Sequence, residues 1–93
     1  MVAKNPKNVL ARFGLANEAV KENLFDEAAE SYAAYLASHD DEGNGWQRYA
    51  EVLVKLGRLA EAKIALRSGI DAATRFGQPS MASELQARLA DLD

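Results

Sequence analysis

Cysteine is absent from this chain. That single absence removes a disulfide framework, a thiolate zinc site and a cysteine nucleophile together. It is also compatible with a reducing, cytoplasmic setting. Histidine occurs once, at His39, with no serine or cysteine in any recognisable partner context. One imidazole of that kind makes neither a catalytic triad nor a zinc site. Positive charge is not in excess, since 11 Lys and Arg face 14 Asp and Glu for a net charge of −3. Nucleic acid needs a basic stripe to displace counterions, so no nucleic-acid partner is expected. No apolar run approaches the roughly 18 residues of a spanning helix, and the N-terminus has no signal-peptide core. A soluble chain without a membrane partner is the expectation. No glycine-rich phosphate loop is present, and the carboxylates are spread over helical surfaces with no convergent pair implied. Neither an enzyme, nor a catalytic or metal site, nor a cofactor is therefore expected.

What the chain does have is a helical composition. Its 93 residues are 48% hydrophobic with only two prolines, which fits one folded domain and argues against disorder. They also carry a repeat. Leu24-Phe25-Asp26-Glu27-Ala28 returns as Arg58-Leu59-Ala60-Glu61-Ala62, which sets Ala28 and Ala62 34 residues apart. Ala16 matches Ala50, Val20 matches Val54, Lys21 matches Lys55 and Glu27 matches Glu61 at the same interval. A fixed period of this length marks an array of helical hairpins, none of which buries its apolar face alone.

Five helices follow from the three- and four-residue spacing of apolar residues. Asn5-Pro6 reads as a helix start, with Asn as cap and Pro at the first helical position. The first helix sets Leu10, Ala11, Leu15, Ala16 and Ala19 in one stripe and breaks at Asn23-Leu24. The second, from about Phe25, buries Phe25, Ala28, Ala29, Tyr32, Tyr35 and Leu36 and ends near Ser38. After the acidic stretch from His39 to Gly45, the third buries Trp46, Tyr49, Ala50, Leu53 and Leu56. It stops at Gly57, a left-handed cap. The fourth begins near Leu59, turns Ala62, Leu66, Ile70 and Ala73 inward, and runs to Phe76-Gly77. Gly69 lies in its middle, where it costs about 0.5–1 kcal/mol against alanine, and a helix crossing too close for a side chain is the expected reason. The fifth starts at Pro79 with Met81, Ala82, Leu85, Leu89 and Leu92 on one face and Ser83, Glu84, Gln86 and Asp91 on the other.

These residues resemble the tetratricopeptide repeat family, whose 34-residue unit is a helix–turn–helix. Leu15-Ala16, Ala28 and Tyr32 fill its signature places in the first unit, and Trp46, Tyr49-Ala50, Gly57, Ala62 and Leu66 fill them in the second. Pro6 falls where the motif's proline closes a preceding unit. Tyr35 stands at a usual alanine, Asp40 at the proline between units, and Arg12 where the second unit has Trp46. The resemblance implies an all-α, right-handed superhelical stack. It comprises one unit over about 9–42, a second over about 43–76, and a capping helix over about 79–92.

The resemblance also implies a concave groove lined by the first helix of each unit. Phe13, Asn17, Val20 and Lys21 would come from the first unit, Gln47, Glu51, Val54 and Lys55 from the second, and Met81 and Arg88 from the capping helix. The implied function is protein–protein interaction, with a peptide or partner helix in that groove. Phe13 is either an exposed anchor of the kind that dominates binding energy or simply packed against its neighbours. Lys21, Lys55 and Arg88 would form a basic ladder facing carboxylates on the partner, although charged residues on a solvated face are the default. A clamp for a C-terminal carboxylate, known in this family, is not expected, because Phe13 replaces its lysine and Glu51 its second asparagine. Asp40, Glu42, Asn44, Gly45 and Glu51 follow the ligand spacing of a calcium loop. Glu42 is too long for its place there, and the repeat puts Glu51 on a helix, so an acidic inter-repeat loop is the reading adopted. The alternative function is structural: an unpaired outer face on the first hairpin would join two chains as a homodimer, or the chain would serve as an assembly unit of a longer array of such repeats.

Overall fold

The computed structural model describes residues 6–93, so the cap assigned to Asn5 lies outside the described residues. The described residues form five helices: α1 (Pro6–Lys21), α2 (Phe25–Ser38), α3 (Asn44–Lys55), α4 (Leu59–Arg75) and α5 (Pro79–Leu92). Each packs chiefly on its neighbours in the chain, and there is no strand among the described residues.

The turns explain this order. At the end of α1 the Leu24 N–H donates to the Ala19 carbonyl at 2.8 Å and the Asn23 N–H to Val20 at 3.0 Å. At the end of α3, Arg58 donates to Leu53 at 2.8 Å and Gly57 to Val54 at 3.0 Å. These pairs are Schellman motifs, which satisfy the last carbonyls of a helix around a left-handed residue. That residue is Asn23 in the first turn (φ 61°) and Gly57 in the second (φ 76°). The same bonds recur a third time after α4, from Gln78 to Ala73 at 2.8 Å and from Gly77 to Thr74 at 3.1 Å. In all three turns an alanine N–H, of Ala28, Ala62 or Ala82, then opens the next helix by donating back to the last turn residue. The step from α4 to α5 thus repeats the turn found inside the two hairpins.

The α2–α3 connection is built differently, around Asp41. This carboxylate is 3% exposed. Its Oδ1 accepts the N–H groups of Gly43 at 2.7 Å and Gly45 at 2.8 Å, and its Oδ2 accepts the Tyr35 hydroxyl at 2.7 Å. One buried side chain therefore satisfies the amides that open α3 and ties them to α2. A Cβ on Gly45 would stand 2.7 Å from Asp41 Oδ2 and 2.8 Å from Tyr35 Cε2, so only glycine fits there.

The core contains Ala16, Ala28, Ala29, Tyr32, Ala50, Val52, Leu53, Ala62, Ala65, Leu66 and Leu85. Many of these are alanines, and small side chains let the helix axes approach. Gly69 carries this furthest: a Cβ there would lie 2.8 Å from Trp46 Cβ and 3.0 Å from Leu85 Cδ1, which is the close crossing the sequence predicts. On α1 the expected stripe is only half right. Ala16 and Ala19 are buried, but Leu10 is 59% and Leu15 64% exposed, and Ala11 is exposed as well. Periodicity groups residues on a face, but it does not say whether a neighbour covers that face. No described helix covers the outer side of α1.

Candidate functional site

A groove of about 410 Å³ opens between α3, α4 and α5. Ala50, Val54, Leu66 and Leu92 form its apolar floor, and Gln47, Glu51, Lys55, Arg88 and Asp91 line its edges. Five of the expected groove residues meet here: Gln47, Glu51, Val54, Lys55 and Arg88. Helical spacing explains it, because Gln47, Glu51, Val54 and Lys55 recur at three and four residues on one side of α3. Val54 is 39% exposed, a sizeable apolar side chain left open to solvent above the buried Leu66.

A network of polar contacts holds the α3–α5 edge. Arg88 pairs with Glu51 at 3.1 Å and with Glu84, one turn earlier on α5, at 3.4 Å. The Gln47 side-chain amide donates to the same Glu84 carboxylate at 3.1 Å. Arg88 Nε is buried without a hydrogen-bond acceptor. These ion pairs are half exposed and contribute little stability, but they fix where the charges stand. The basic ladder is corrected accordingly: Arg88 is neutralised by two glutamates. Lys55 rests over the Phe25 ring, with Nζ 5.5 Å from its centroid, and Lys21 is exposed on α1.

Of the α1 residues expected in the site, Phe13, Asn17 and Val20 are partly buried, Lys21 is exposed, and none lines this groove. Phe13 packs on Tyr32 and Tyr35, with ring centroids 5.8 and 4.7 Å away, and Arg48 lies across it at 5.7 Å. It is a packed ring held under a guanidinium, not an open anchor. Asn17 accepts the Tyr32 hydroxyl and also a 3.4 Å hydrogen bond from Arg48. Val20 packs against the core, as does Met81, whose Cγ lies 2.9 Å from where a Gly43 Cβ would stand. Arg48 stands one residue past the groove spacing on α3, so the repeat pattern gives no sign of its contact with Phe13. Leu92, on the apolar face expected for α5, packs against the core and also lines the groove.

The calcium-loop pattern is not assembled. Asp40 pairs with Arg75 at 3.5 Å, while Glu51 is on α3 beside Arg88. Among the described residues no group of three His, Asp or Glu is placed to hold a metal ion. A second hollow of about 440 Å³ is lined by Leu36, His39, Trp46, Arg67, Asp71 and Arg75, among others. Its charges are largely matched within the chain, since Arg75 pairs with both Asp71 and Asp40. No described helix is long and apolar enough to cross a membrane.

The chain matches no known protein family, no curated protein and no solved structure.

Proposed function

We propose that this chain is a non-catalytic binding module of tetratricopeptide-repeat type. In this reading two hairpins form a right-handed superhelical stack closed by α5, and a peptide or partner helix lies in the groove between α3 and α5. The observation that carries the reading is the groove itself: Ala50, Val54, Leu66 and Leu92 make an apolar floor beneath a rim of fixed charges. Such a floor takes apolar side chains of a partner, and the rim sets their orientation. Gln47, Glu51, Val54, Lys55 and Arg88 are the contact residues. Phe13, Asn17, Val20 and Met81 are partly buried outside this groove, and Lys21 is exposed on α1. The repeated turns, with Ala28 and Ala62 at the same point of each, support the family assignment. The lack of cysteine suits action in the cytoplasm.

The test is a peptide selection against the folded domain, followed by amide chemical-shift mapping of the selected peptide. Shifts confined to Gln47–Lys55 and Arg88–Leu92 are expected. Shifts centred elsewhere, or a failure to select any peptide, would contradict the reading.

A further inference from the structure

The groove between α3 and α5 differs along its length. The two helices run in the same direction on this edge, because Gln47 reaches Glu84 and Glu51 reaches Arg88, each across 37 positions. These two rungs tie the helices together over their earlier turns. Four residues further on, the same step sets Lys55 against Leu92. No ion pair joins α3 to α5 there among the described residues. The apolar floor of Val54 and Leu92 is therefore open at this end.

The charges on the rim fall into two sets. Glu51 and Arg88 satisfy each other at 3.1 Å. Lys55 and Asp91 are exposed and form no ion pair among the described residues. Lys55 lies over the ring of Phe25, a residue of α2, which holds its ammonium on the α2 side of the groove. Asp91 stands on α5, and the cation one turn before it, Arg88, is taken by Glu51 and Glu84. The open end thus presents a cation on one rim, an anion on the other and apolar side chains between them. A partner that covers this floor draws both charges out of water, which costs free energy unless an opposite charge meets each. A wholly acidic segment satisfies Lys55 but sets like charge against Asp91, and a wholly basic one does the reverse.

We propose that the groove takes a peptide segment of mixed charge, with an acidic residue against Lys55, an apolar residue on Val54 and Leu92, and a basic residue against Asp91. It rests on the groove being the binding site, and adds the chemistry of what that site selects. Both charged contacts lie at the exposed rim, so they decide orientation and partner choice more than affinity, and they weaken with salt.

A random peptide library selected at low salt on wild type, on Lys55→Glu and on Asp91→Lys tests it. Wild type should enrich peptides in which an acidic and a basic residue flank an apolar one. K55E should enrich basic residues on both flanks, and D91K acidic residues on both. The best wild-type peptide should bind either variant on the order of three- to tenfold more weakly. Changing its acidic residue to lysine should weaken binding to wild type and restore binding to K55E. Thermal melts check that both variants stay folded, as exposed substitutions should, and the peptide change on wild type leaves the domain untouched. Peptides that map to the groove by chemical shift yet lack the flanking charges, or bind all three domains alike, overturn the charge order and leave the groove reading intact. Peptides that map elsewhere, or none selected at all, overturn both.

Discussion

The first helices of the two hairpins, α1 and α3, hold equivalent places in the repeat but differ in their surroundings. Helix α3 lies between α2 and α4, and Gly45, Ala50, Val52 and Leu53 are buried along it. Helix α1 packs chiefly on α2, with Arg48 of α3 reaching Phe13 and Asn17, and buries Ala16 and Ala19 while Leu10 and Leu15 stay in solvent. Their closing turns are nonetheless the same, bond for bond. Local structure is thus set by the turn and the alanines within each hairpin, whereas burial depends on what the next hairpin supplies.

The sharpest way to break this comparison is a matched pair of truncations. Leu53 is fully buried, so Leu53→Ala should cost about 3 kcal/mol through lost transfer energy and a residual cavity. Leu15→Ala, on the equivalent helix, should change the stability of dilute protein by less than about 0.5 kcal/mol. Urea unfolding of both variants at micromolar concentration decides it, and equal losses would contradict the difference described.

Asp41→Ala comes next in size. It strands the amides of Gly43 and Gly45 and the Tyr35 hydroxyl in a buried site, for an expected loss of about 2–3 kcal/mol. The first hairpin's own turn lacks this device, so hydrogen exchange should show the loss concentrated at the start of α3. Uniform loss across all five helices would point to a general rather than a local role.

The two mid-helix glycines should respond with opposite signs. A Cβ on Gly69 meets Trp46 and Leu85 too closely, whereas one on Gly14 meets nothing within 4 Å. Gly69→Ala is expected to cost about 1–2 kcal/mol, overpacking outweighing the gain in helix propensity. Gly14→Ala should stabilise by about 0.5–1 kcal/mol. Thermal melts of the two variants suffice, and a stabilised Gly69→Ala would mean that α3 and α4 have room to separate.

The smallest effect concerns alkaline pH. The Tyr32 and Tyr35 hydroxyls both titrate above their ordinary value of 10.0, chiefly because they are buried, and for Tyr35 also because it donates to Asp41. A raised value means that the folded state holds its phenol protons more tightly than the unfolded chain. The tyrosine contribution to stability is therefore complete below pH 10.0 and is lost as pH rises above it. Tyr35→Phe should flatten that alkaline decline in the melting temperature. An unchanged slope would remove Tyr35 from the explanation.

Much of this fold is legible in the residues. Asn23, Gly57 and Gly77 mark the ends of α1, α3 and α4, and Gly69 announces a close helix crossing, because each requirement is local or leaves a glycine behind. The environment of α1 is not legible, since Leu10 and Leu15 show the spacing of buried residues whether or not a neighbour covers them. The groove is legible on α3, where spacing gathers Gln47, Glu51, Val54 and Lys55. It fails at Phe13, which Arg48 covers through a contact between helices 35 residues apart in sequence. Arg88 is half legible, because Glu84 stands one turn before it on α5 whereas Glu51 reaches it from α3. At Phe13 and at the Arg88–Glu51 pair the missing information is a contact between helices, which spacing within one helix does not carry.

The most direct test of the binding reading is affinity capture from the source cell's lysate, comparing wild type with the variant V54D/K55E. Both positions are exposed in the groove, so the variant should melt near the wild-type temperature, which is checked first. The account predicts a protein retained by wild type and lost by the variant. The same protein held equally by both would contradict the assignment of the α3–α5 groove as the binding site.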